Sequence, residues 1–131
     1  MIISTGMANL EEIGEAVEVA KGNGCKDLVL LHCISSYPAP VEQSNLRTIP
    51  DLVKRFGILS GLSDHTMGTT VATTSVALGA CVIEKHFTLD NNLPGPDHWF
   101  SEKALNLIPP AHLILIFVEI CVRNYLKYCC L

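Results

Sequence analysis

Charge is the first thing this sequence lacks. Only 17% of its 131 residues are Asp, Glu, Lys or Arg, and the nine basic residues never gather into a run. With a net charge of -4, it offers no clustered Lys and Arg to follow a nucleic-acid backbone. Long apolar runs are missing too. The most apolar stretch, LILIFVEICV, carries Glu119 and is followed by Arg123, well short of the roughly 20 apolar residues that cross a bilayer. A buried helix is the expectation there. MIISTGMANLEE has neither the basic start nor the sustained apolar core of a secretory signal. The six cysteines form no CxxC and no disulfide-like spacing. Cys33 and Cys81 fall within or beside apolar segments, where a thiol acts as a small hydrophobe. These absences predict a reduced, cytoplasmic protein without a membrane or nucleic-acid partner.

What is present is hydrophobic residue, 49% of the chain, enough for a real core. It is arranged as alternating β-like and α-like segments. Ile2 to Thr5 is short and β-branched. Asn9 and Glu12 then have capping-box spacing, and Leu10, Ile13, Val17 and Ala20 follow at helical period before Gly22-Asn23-Gly24. Asp27 to Ile34 is nearly all apolar, as a parallel strand buried on both faces requires. Leu46, Ile49, Leu52, Val53 and Phe56 mark a second helix with Pro50 early in it. Ile58 to Ser63 reads as the third strand, Thr69 to Ala80 as a helix of small residues, and Val82 to Thr88 as the fourth strand. From Ser101 onward the pattern looks helical, interrupted by Pro109-Pro110. This α/β repeat of four βα units fits either a small doubly wound sheet or half of a (β/α)8 barrel. In both, ligands bind at the C-terminal strand ends.

Those ends are polar. The first strand delivers Ser4 and Thr5, the second His32, Ser35, Ser36 and Tyr37, the third Ser63, Asp64 and His65, and the fourth Glu84, Lys85 and His86. Asp97 and His98 follow in the next loop. His65 and His86 end successive strands, which lie roughly 4.8 Å apart, so both imidazoles can reach one ion; the alternative is that each donates to a backbone carbonyl in the core. Imidazole with carboxylate and water suits Mn, Fe or Zn. Ser4, Ser35 and Ser63 converge on one mouth, either to bind a phosphate or to cap turns. Glu84 and Lys85 point to opposite sides, and a structural salt bridge is the expected use. Asp64 either orients His65 or caps the next helix, the cap being preferred. A loop aspartate such as Asp97 accepts sugar hydroxyls or is simply solvated.

Taken in order, ISTGMA, LLHCISSYPAP, GLSDHTMG, ALGACVIEKHFTLD and PGPDHWFS resemble the N-acetylneuraminate (sialic acid) synthase family from Ile2 to about Ser101. Legionaminic, pseudaminic and spore-coat polysaccharide synthases share the pattern. The resemblance implies condensation of phosphoenolpyruvate with N-acetylmannosamine or a related amino sugar, on a TIM barrel with a divalent ion, typically Mn2+. It makes residues 1–108 the C-terminal half of that barrel and residues 109–131 an atypical apolar C-terminal helix or tail. His65 and His86 match the family's metal-binding histidines. Ser4 and Ser63 match positions that hold phosphoenolpyruvate, Ser35 stands where some members have asparagine, and Tyr37 and Asp97 match positions near the amino sugar. The family's earlier βα units, with a metal-associated glutamate and phosphate-neutralising lysines, are not in this sequence, nor is the usual antifreeze-like domain. The expected partner is therefore the missing barrel half or a second copy. A second reading is a non-catalytic remnant that binds phosphoenolpyruvate or a partner chain, its tail covering an open sheet edge. A two-histidine metal hydrolase would explain the histidines but not PGPDH.

Overall fold

In a computed structural model of the chain, residues 1–103 and 116–120 are described. The elements alternate as the sequence pattern predicts: β1 (Ile2–Ser4), α1 (Leu10–Gly22), β2 (Val29–Cys33), α2 (Thr48–Phe56), β3 (Leu59–Asp64), α3 (Thr70–Ala77) and β4 (Ile83–Thr88). β1, β2, β3 and β4 lie side by side in chain order, every neighbour parallel. The fold is a parallel βα repeat.

Local chemistry sets the helix ends. Asn9 Oδ1 accepts from the Glu11 and Glu12 amides at 2.9 and 3.0 Å, and the Glu12 carboxylate accepts from the Asn9 amide at 2.8 Å. This is the capping box that the spacing predicts. α2 stops at Gly57, whose φ of 63° lies in the left-handed region and lets its amide donate to Val53. α3 ends at Ala77, earlier than the small-residue pattern suggests.

Strand alternation gives the sheet two different faces. On one, Leu30 meets Ile13, Val17 and Ala20 of α1 and Leu52 of α2. Leu62 on the same side packs with Ile49, Val71 and Ala80. The other face carries Leu31, Gly61 and Ser63, in register across β2 and β3. A Cβ at Gly61 would run into the Val82 carbonyl oxygen, so only glycine fits this close strand contact.

Two expectations about the C-terminal region are corrected. Glu102–Lys103 is a short strand, β5, paired in parallel with Phe87 and Thr88, not the start of a helix. Ile116–Ile120, expected to be helical, is a parallel strand, β6, beside β4, with Ile83 opposite Ile116 and Phe87 opposite Ile120. The β-branched composition of this short segment and the free edge of β4 outweigh a helical reading that rested only on hydropathy. The rest of the expected apolar tail, within residues 109–131, lies outside the described residues. No helix among the described residues is long and apolar enough to cross a membrane.

Candidate active site

The site forms where β2, β3 and β4 end, on the face turned away from the helices. Register places Cys33 beside Ser63 and Ser63 beside Glu84. One residue beyond β3 and midway along β4, His65 and His86 come together with ring centres 5.2 Å apart. Tyr37 lies over His65 at 4.2 Å and edge-on to His86 at 5.7 Å. Phe100, from the loop after β4, closes the cluster at 5.1 Å from His86.

His65 is buried, and its Nδ1–H donates to the Ile34 carbonyl at 2.9 Å. That bond fixes the tautomer and leaves Nε2 as the lone-pair nitrogen. Burial pushes the His65 pKa down, but its hydrogen bonds to Cys33 and Ile34 and the charges of Cys33 and Asp64 outweigh burial, so it is raised. Cys33 Sγ lies 3.9 Å from His65 Nδ1 and 4.0 Å from Ser35 Oγ. Burial pushes this thiol up; hydrogen bonds from His65, Ser4 and Ser35 and the His65 charge prevail and lower it from 9.0 to about 7.

Ser4 and Ser35 thus both meet Cys33, and Ser63 is its register partner on β3. Ser63 is buried, and its hydroxyl donates to Glu84 Oε1 at 2.6 Å. Ser35 lies within 3.5 Å of where a Gly6 Cβ would stand. The half-buried Asp97 sits in the loop that carries Phe100, and its backbone carbonyl accepts from Ser101 Oγ at 2.6 Å.

Other polar residues at the same strand ends turn the opposite way. His32 donates from Nε2 to the Ser44 carbonyl at 2.8 Å, among the helices. Lys85 Nζ meets Asp64 Oδ2 at 2.8 Å, both side chains almost fully buried. The expected salt bridge of Lys85 is thus present. The preferred cap role of Asp64 is not: α3 has no side-chain cap, and Asp64 accepts instead from Thr66 and Lys85. Strand alternation explains both, since His32, Asp64 and Lys85 have the parity of the helix-facing residues. Cys33, Glu84 and Phe100 belong to the site although the sequence alone did not single them out as site residues. Their signal was positional: Cys33 and Glu84 share the parity of Ser63 and His86.

An ion about 2.1 Å from one nitrogen of each ring would place two neighbouring ligand rings roughly 4.6–5.3 Å apart. The 5.2 Å separation of His65 and His86 fits this. They are two donors only; among the described residues no group of three or more His, Cys, Asp and Glu side chains is placed to hold a metal.

β1 to β4 follow one another in chain order without the reversal that a doubly wound sheet has, and with the polar cluster at their C-terminal ends this defines the class: part of a TIM-barrel-like α/β protein. Comparison with known proteins narrows this. Residues 1–108 match the NeuB family, and the chain belongs to that family. It is 50% identical over 115 residues to the N,N'-diacetyllegionaminic acid synthase of Legionella pneumophila, covering 82% of this chain and 32% of that protein. The crystal structure of the spore coat polysaccharide biosynthesis protein SpsE from Bacillus subtilis superposes with a TM-score of 0.75 at 44% identity, over 79% of this chain and 29% of that one. A sialic acid synthetase from Leptospira borgpetersenii, solved with citrate, gives 0.74 at 38% identity, over 80% and 36%. The chain thus spans about a third of the length of the relatives it matches.

Proposed function

We propose that this chain carries the C-terminal part of a synthase site that condenses phosphoenolpyruvate with N-acetylmannosamine or a related N-acetylated amino sugar. The observation that carries the proposal is the His65–His86 pair under Tyr37, beside the Ser4, Ser35 and Ser63 hydroxyls. In the reaction, C3 of phosphoenolpyruvate bonds to the sugar aldehyde carbon. Water then adds at C2, and phosphate leaves with the C–O bond electrons. Ser4 and Ser35 would hydrogen-bond the phosphate and carboxylate. Ser63 joins them once its proton turns from Glu84. Tyr37 and Asp97 would bind and orient the sugar. His65 and His86 would hold a divalent ion, Mn2+ in our reading, which supplies Lewis-acid polarisation of the aldehyde when bound. Ile34 keeps the His65 lone pair on Nε2 for that purpose. Lys85 is held by Asp64, and in this reading preceding barrel units would bring the cations that neutralise phosphate, as the family resemblance implies. The edge of β1 that pairs with no strand among the described residues and the apolar groove of Met1, Ile3, Ala16, Val19 and Cys25 are where those units would pack. Turnover by this chain alone is expected to be small.

Mn2+ binding to the full chain, followed by electron paramagnetic resonance, is the test. His65→Ala and His86→Ala should each weaken it at least ~10-fold, as loss of a ligand or its support does. Unchanged affinity in both would remove the site assignment. Phosphate release from phosphoenolpyruvate with the amino sugar should then appear when the chain is fused behind the upstream part of the B. subtilis relative.

One observation favours a second reading. β6 occupies the outer edge of β4, the edge through which a barrel would close on its first strand. A chain that covers its own edge suits a non-catalytic protein that binds phosphoenolpyruvate or a partner chain. Binding without phosphate release in the fusion would favour it.

A further inference from the structure

We propose that Asp64, Lys85 and Thr66 form a positioning clamp, a buried polar knot on the helix side of the sheet that sets the separation and aim of His65 and His86 on the other side. The proposal rests on reading the two histidines as a metal-binding pair.

Register makes Asp64 and Lys85 direct partners across β3 and β4, and each immediately precedes one of the histidines. Tying these side chains together therefore ties the backbone that carries both rings. The ladder between β3 and β4 ends at this pair, so His65 and Thr66 have already left the sheet. The knot replaces the missing ladder bonds. Lys85 Nζ donates to Asp64 Oδ2 at 2.8 Å and onward to the Thr66 carbonyl at 2.6 Å. Asp64 Oδ1 accepts from the Thr66 amide at 2.9 Å and from Thr66 Oγ1 at 2.8 Å. The residues on both sides of His65 are thus held by one lysine. From the far side, the Ala39 amide donates to the His65 carbonyl at 2.9 Å.

Stability alone does not call for such a knot. A buried ion pair gives up most of its hydration, and apolar residues of similar volume often do as well or better. What they cannot supply is direction: Leu and Met would fill the space and leave Thr66, next to His65, without these bonds.

The experiment compares the full chain with an Asp64→Leu/Lys85→Met double variant and with Thr66→Val, which keeps both charges. Circular dichroism reports the fold. Nitrogen-15 NMR of the metal-free chain reports the His65 Nδ1–H held by Ile34, and electron paramagnetic resonance reports Mn2+ affinity. A folded double variant should lose or shift the His65 signal and bind Mn2+ roughly 10-fold or more weakly. A folded double variant with wild-type His65 signal and affinity overturns the clamp. Should the double variant unfold, Thr66→Val decides, a shifted His65 signal supporting the clamp and an unmoved one overturning it. If the wild-type chain binds no Mn2+, the metal reading fails separately, and the NMR comparison still decides the clamp.

Discussion

The two faces of the sheet end in similar residues and use them in opposite ways. Toward the helices, His32, Asp64 and Lys85 are buried, and each polar group is satisfied by a partner inside the protein. Away from them, Cys33, Ser63, His65, Glu84 and His86 gather with Tyr37, a residue about half exposed at 51%. A polar residue at a strand end is thus not in itself a sign of a site. Its parity along the strand decides whether it joins the core under the helices or the cluster around His65 and His86.

Breaking the helix side should cost stability. Lys85→Met leaves the Asp64 carboxylate buried without its cation, and about 3–5 kcal/mol should be lost in denaturant unfolding. A loss under ~1 kcal/mol would mean the pair is open to water, like a surface bridge. Gly61→Ala forces a methyl against Val82 and should cost about 1–3 kcal/mol. It lies on the site-facing side but acts on strand spacing, so Mn2+ affinity should fall with it.

His32→Leu sharpens the comparison. Losing the bond to Ser44 should cost about 1–3 kcal/mol, yet Mn2+ affinity should stay at the wild-type value. A loss of metal binding there would show that the helix side reaches the histidines through His32 as well as through Asp64 and Lys85. The smallest effect is on protonation. The ultraviolet thiolate signal of Cys33, taken as wild type minus Cys33→Ser, should titrate at about 7 in the metal-free chain. His65→Ala should move that midpoint up, because it removes the main group that lowers it. Since the His65 pKa is raised and only the neutral ring binds metal, Mn2+ affinity should weaken as pH falls through the His65 transition.

Much of this was legible beforehand. The capping box at Asn9 and Glu12 and the order of elements through β4 follow from local pattern, and the structure repeats them. The meeting of His65 with His86 follows from strand adjacency. The faces were harder to read. β2 is apolar on both sides, so VLLHC gives no alternation to show which of His32 and Cys33 faces the site; register against Ser63 shows it is Cys33. Asp64 was misread as a cap because its true partner, Lys85, lies on the next strand. Ile116–Ile120 was misread as a helix because a short apolar run has no period to separate it from a strand, and pairing with β4 decides it.

Because the order of strands in space is their order in the chain, each new strand from β2 to β4 finds its partner already made. The contact of His65 with Ile34 and the meeting of His86 with His65 each span a single βα unit, 31 and 21 residues of chain. The pair of imidazoles is therefore assembled from neighbouring units, and no distant segment has to be threaded in to complete it.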